Sequence, residues 1–187
     1  TSVEGTGNLF SWAGSSGATA LERGDSICRA RAAAASLPNA ATYRAWLSTS
    51  TTDAYCHVQG LTGFRNGGCG GAPLPGGGPW YQVNGVTQFS ADLETLTGTG
   101  RVVYRQVLFD EFATAITDEW EGAYWTGSEP SGGLSAAHCA DWTSTSSAAS
   151  GCSGTSVAGS YSWSFWIWTS CSAQLRLLCL EPGESEA

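Results

Sequence analysis

Lysine and methionine are both missing from this 187-residue chain, and histidine occurs only twice. The eight basic residues are all arginine and stand against sixteen acids, a formal net charge of −8. Nucleic acids and sulfated polysaccharides such as heparin are held by a basic face that neutralises phosphates or sulfates. This chain has nothing to build one from, so neither nucleic acid nor heparin is an expected partner. No apolar run approaches the roughly 20 residues that span a bilayer, so no membrane span is expected. No cysteine pair has the Cys-x-x-Cys spacing of redox motifs and zinc cages. Without a methionine the sequence as given does not begin at a start codon, and Thr1 reads as a processed end left after removal of a secretion signal.

What the chain does have is seven cysteines and nine tryptophans. Cysteines in that number without metal-ligand spacing favour disulfides, hence an oxidising compartment and an extracellular or cell-surface location. The length suits one domain over 1–187, burying about 70 % of its unfolded surface. A Gly/Ser/Thr-rich lead over about 1–8 and a polar acidic tail over about 182–187 read as flexible.

In chain order, Leu9 to Trp12 predicts a short first strand. Arg23-Gly24-Asp25-Ser26 spells an integrin-recognition tetrapeptide. Asp25 is better placed as the N-cap of a helix over Ser26 to Ser36, rich in alanine and ended by Leu37-Pro38. The face of that helix reads as Ile27, Ala30, Ala34 and Leu37. Tyr43 to Ser48 reads as a strand with Tyr43, Ala45 and Leu47 on one side. Gly60 to Pro79 is too rich in Gly and Pro for a strand interior, and a Cys56–Cys69 bridge would restrain that loop. In Trp80 to Phe89, Asn84-Gly85 suits a type I′ hairpin turn, with Trp80 across from Phe89 and Val83 across from Val86. Val102 to Phe109 predicts a strand and Asp110 to Glu121 an acidic connector. Thr143 to Ser160 is nearly all Ser, Thr, Ala and Gly, the composition of a mobile loop.

The stretch Ala123 to Glu181 organises the rest. It holds Cys139, Cys152, Cys171 and Cys179. Tyr161, Trp163, Phe165 and Ile167 alternate with Ser162, Ser164, Trp166 and Trp168, a period of two that predicts a strand. Trp46, Trp80, Trp125, Trp142 and Trp163 are most simply core. Trp166 and Trp168, on the serine-bearing face, are the candidates to meet a partner.

Trp125-Thr126-Gly127-Ser128-Glu129-Pro130-Ser131-Gly132 is followed by Cys139-Ala140-Asp141-Trp142, then Cys171 and the terminal Leu177-Leu178-Cys179-Leu180-Glu181. In this order and spacing the chain resembles endostatin, itself a variant of the C-type-lectin-like fold. It is also similar to the bacterial endostatin-like proteins, of which leptospiral surface proteins are examples. GDSICRARAAAASLP and TYRAWLS resemble that family's first helix and following strand. The resemblance implies an α+β fold: a twisted, mostly antiparallel sheet, a packed N-terminal helix and long loops. It also implies disulfides Cys28–Cys179 and Cys139–Cys171, nested one within the other. Together with Cys56–Cys69 these leave Cys152 over, unpaired or paired with another chain.

Calcium-dependent sugar binding in C-type lectins uses a Glu-Pro-Asn and a later Trp-Asn-Asp segment. The comparable places here are Glu129-Pro130-Ser131 and Trp168-Thr169-Ser170. Glu129 is retained, but Ser and Thr stand where carboxylate and amide ligands are needed, and calcium wants six to eight oxygens. Endostatin's zinc uses N-terminal histidines, and none precedes His57. No metal or cofactor is therefore expected, nor calcium-dependent sugar binding. Cys56-His57 and His138-Cys139 are neighbours in sequence, which rarely gives a nucleophile and base the side-chain geometry they need. The bacterial relatives bind matrix proteins and complement regulators, so the leading expectation is a non-catalytic module for protein ligands of matrix type. The second is a structural subunit that self-assembles into a layer, sheath or fibre. The third is an unrecognised hydrolase.

Overall fold

The computed structural model describes residues 1–71, 74 and 76–182. Part of the Gly60–Pro79 loop, and the tail beyond 182, lie outside the described residues. The architecture is α+β and mostly antiparallel. Helix α1 spans Ala20–Ala34, α2 Ala54–Val58 and α3 Leu93–Thr97. The strands are β1 Arg44–Ala45, β2 Trp80–Tyr81, β3 Gln88–Ser90, β4 Ala123–Trp125, β5 Ser150–Thr155, β6 Ile167–Ser170, β7 Arg176–Leu177 and β8 Cys179–Leu180. The central sheet has the order β6-β5-β4-β7, antiparallel except for β4–β7, while β1–β8 and β2–β3 are separate antiparallel pairs. None of the helices described is long and apolar enough to cross a membrane.

Helix α1 begins before Asp25, not after it. Thr19 is the N-cap, in a reciprocal capping box with Glu22 that satisfies otherwise free N–H groups at the first turn. Asp25 therefore lies inside the helix, buried, where it accepts from Ala45 N–H at 2.9 Å and contacts His57 Nε2 at 2.9 Å. The inward face is Gly24, Asp25, Ile27 and Cys28, with Ala20 and Ala32; Ala30 and Ala34 face outward.

The strands around the centre are buried on both faces, and their residues alternate between two hydrophobic clusters. Ala45, Leu47, Ala123, Trp125 and Leu177 belong to one, and Trp46, Tyr124, Leu178 and Leu180 to the other. In the second cluster Trp163 packs against Trp46 with the rings tilted by 46° at 4.9 Å and meets Phe89 edge-on at 5.7 Å. Such pairs contribute about 0.5–1.5 kcal/mol beyond area burial. The five tryptophans assigned to the core are all buried, and so is Trp12.

Several local expectations are overturned. The first eight residues are not a loose lead: Gly5 exchanges backbone bonds with Leu175, and Gly7 donates to Cys171 O at 2.9 Å. Leu9–Ser11 forms a 3₁₀ turn, capped by the Asn8 side chain, instead of a strand. In the hairpin, Trp80 sits opposite Ser90 and Tyr81 opposite Gln88. The Gln82 N–H donates to Thr87 O across a four-residue turn, Val83 to Val86. Asn84 Oδ1 accepts from Val86 N and Thr87 N, and Gly85 alone of the Asn-Gly pair has positive φ, so the turn is not type I′. Val102 to Phe109 forms no strand because its backbone bonds go to different elements in turn: Thr95, Phe89 and Ser156. The aromatic run is a strand only from Ile167; Tyr161 to Ser164 is a turn in which Trp163 and Ser164 are both buried.

The largest correction is Ser150–Thr155. The segment with the composition of a mobile loop is β5, an interior strand of the central sheet, paired on both sides. Its small residues are a packing requirement. A Cβ on Gly151 would come within 2.6 Å of Cys139 Sγ and 2.9 Å of the Trp125 ring.

Candidate functional site

Three disulfides are present: Cys28–Cys179, Cys56–Cys69 and Cys139–Cys171. Cys56 and Cys139 are thereby removed as nucleophiles. His57 is turned onto Asp25, and His138 Nδ1 accepts from Asp141 N–H at 3.0 Å. The inner bridge anchors an unusual segment. Cys139, Ala140, Asp141 and Trp142 all have positive φ, between 49° and 61°. Such left-handed backbone costs non-glycine residues roughly 1–2 kcal/mol each. The turn is held by the Cys171 bond, by Trp142 Nε1 donating to Ser48 O at 2.7 Å, and by Ser50 N donating to Asp141 at 2.7 Å.

Cys152 is free but not available. It lies in β5 with no exposed surface, so the expected contact with another chain is corrected: this thiol has no route to a partner. Burial pushes its pKa up to about 11, beside Thr126, Ser135 and the Ser128 carbonyl. At pH 8 Cys152 should therefore resist a thiol reagent in the native protein and react once denaturant unfolds the chain. Rapid native labelling would contradict its placement. The stability gained from keeping this thiol protonated is fully present below pH 9, the ordinary value, and is lost as pH rises through about 11.

Trp166 and Trp168 do not share one exposed face. Trp166 sits at a bend before β6, partly buried against the first cluster and edge-on to Trp120 at 4.8 Å. Trp168 lies in β6, 59 % exposed, opposite Cys152. Because β6 ends the sheet, Trp168 stands on an edge strand. Trp120 and Tyr161 are also exposed, Trp120 beside Trp166 and Tyr161 edge-on to Phe165 at 6.0 Å.

Glu129 lines a separate shallow recess with Asp53, Arg65 and Ser131, which neither Trp166 nor Trp168 lines. Burial pushes both the Glu129 and Asp53 carboxyls above their ordinary range. Among the described residues no three His, Cys, Asp or Glu side chains gather at metal-binding spacing.

A second concavity was not read from the sequence. A cleft of about 690 Å³ opens between α1, the β2–β3 hairpin and β8, with the Cys28–Cys179 bridge in its wall. Its apolar lining includes Trp80, Phe89, Val107, Leu178 and Leu180, contributed by segments far apart in the chain. Its charged side chains are Arg31, Asp110, Glu111 and Glu181. Arg31 Nε donates to Glu111 at 2.6 Å, and a second guanidinium nitrogen donates to Ser2 Oγ at 2.6 Å.

No protein-family model matches the chain, and no curated protein matches it.

Proposed function

We propose that this chain is an extracellular or cell-surface binding module for protein ligands of matrix type, with the C-type-lectin-like arrangement of the endostatin-like proteins. The observation that carries the reading is the exposure of Trp168 on edge strand β6 of a covalently braced scaffold, with Trp120 and Tyr161 exposed as well. Aromatic anchors on rigid elements dominate the energetics of protein interfaces. The fold assignment is supported by the bridge from α1 to β8, by the second bridge nested inside it, and by the pairing of the last strand with β1. The disulfides support the oxidising location.

The test is surface plasmon resonance of the full chain against immobilised purified matrix glycoproteins. Trp168→Ala is expected to weaken binding at least roughly tenfold while leaving the melting midpoint nearly unchanged. Binding to none of the panel, or binding indifferent to both Trp168→Ala and Trp120→Ala, overturns the reading.

A second reading, a subunit that binds copies of itself, is favoured by one observation: Trp168 sits on an edge strand. Unpaired strand edges template pairing with another chain. Light scattering after size exclusion separates the readings, because self-assembly gives a mass that rises with concentration and falls in Trp168→Ala.

A further inference from the structure

The cleft between α1, the hairpin and β8 is not lined by Trp168, Trp120 or Tyr161, and its chemistry points to a particular guest. At about 690 Å³ it is far larger than one side chain needs, and falls within the range of pockets that enclose a ligand. Its walls are apolar, built by Trp80, Phe89, Leu178 and Leu180 of the second cluster together with Val107. The hairpin forms one lip. Tyr81, which lines the cleft, is 51 % exposed, and Val86 at the tip of the turn is 79 % exposed.

The charges are unbalanced. Glu111 is used internally, accepting from Arg31 and from both N–H and Oγ of Ser2. Asp110 uses only Oδ1, which accepts from Phe112 N and Thr114 N at 2.9 Å each. Glu181 uses only Oε1, which accepts from Asn39 Nδ2 at 2.5 Å. Each of these two acids keeps a second carboxylate oxygen without a partner among the described residues; the Arg31 guanidinium is already taken by Glu111, and the Thr1 amino group that also lines the cleft donates to Leu177 O at 2.7 Å. A net charge of −8 adds a long-range field that favours approach of a cation.

We propose that the cleft receives a linear apolar segment of a partner polypeptide carrying a Lys or Arg, its apolar side chains lying on Trp80 and Leu178 and its cationic head meeting Asp110 or Glu181. This rests on the reading of the chain as a protein-binding module and names the ligand chemistry that such a module would select.

The experiment titrates the full chain with three synthetic pools of N-acetylated pentapeptide amides. All have leucine or phenylalanine at the second and fourth positions, and the centre is fixed as Lys, norleucine or Glu. Binding is read by quenching of tryptophan fluorescence and located by amide chemical-shift changes. The Lys pool is expected to bind roughly tenfold more tightly than the Glu pool, with shifts at Tyr81, Val107 and Leu178. The Lys preference should shrink in Asp110→Asn with Glu181→Gln, which keep the internal acceptor oxygens and so the local fold. Tyr81→Ala should weaken the Lys and norleucine pools alike. Equal affinity for the Lys and Glu pools, shifts confined to the β6 edge, or no binding at millimolar peptide each overturns the cleft proposal. These outcomes leave the Trp168 surface to be judged by its own binding assay, so the two failures are distinguishable.

Discussion

Cys28→Ser is expected to be the most damaging of the single cysteine substitutions. The bridge it removes joins α1 to β8 across a sequence separation of 151, against 32 for Cys139–Cys171 and 13 for Cys56–Cys69. In the chain-entropy account these closures are worth about 5, about 3.7 and about 3 kcal/mol, because a longer closed loop removes more freedom from the unfolded state. Cys28 is also buried in the first cluster, so the serine would place a hydroxyl among apolar groups. Since domains are typically stable by only 5–15 kcal/mol, about 5 kcal/mol is a large share. Urea unfolding of serine variants at each bridge should rank Cys28 first, with the double variant Cys28→Ser/Cys179→Ser no better than about equal to the single. A smaller loss at Cys28 than at Cys56 would mean that unfolded-state closure is not what the long bridge contributes.

Asp25→Ala is expected to cost about 3–5 kcal/mol, the range seen when one member of a buried ionic cluster is removed and its partners stay behind. Its carboxylate joins three elements. It accepts from Ala45 N–H of β1 at 2.9 Å, meets His57 of α2 at 2.9 Å, and lies 3.3 Å from Arg29 and 3.5 Å from Arg44. The two arginines are partly exposed and can turn to water, so their share is small. The Ala45 N–H and the His57 ring cannot do so, and they carry the loss. Asp25→Asn keeps an acceptor for Ala45 N–H and should cost distinctly less. If the two variants melt together, the charge and not the backbone bond is what matters; if Asp25→Ala costs under about 1 kcal/mol, the cluster is not holding these elements.

Much of the core was legible because bulky residues leave little choice. Trp46, Trp125, Trp142 and Trp163 had to be buried somewhere, and Tyr43, Ala45 and Leu47 alternate with Trp46 as a strand buried on two sides requires. The start of α1 was misread because Asp25 looks like a cap before an alanine run. The true signal, Thr19 with Glu22 three residues on, was in plain view as a capping box. β5 was misread for a deeper reason. Strand propensity is largely a measure of side chains packing on a pleated surface, and here the packing comes from neighbours. A disulfide and the Trp125 ring crowd the strand at Gly151, and the backbone at Trp163 crowds it at Gly154, so no side chain fits at either position. The cleft was illegible because each residue in its wall reads as ordinary core; only the fold leaves the space between them open.

The alternation of Leu177, Leu178, Cys179 and Leu180 between two clusters fixes how the chain can change its length. Adding or deleting one residue there, where β7 runs on into β8, would exchange the two sides of a segment buried on both, sending each side chain into a space shaped for its neighbour. Ala45 to Leu47 is under the same constraint. Such segments can trade residue types but cannot drift in number. Variation in length is therefore channelled into the turns, such as Val83 to Val86 at the cleft's lip, where an added residue alters which guest is admitted without disturbing either core.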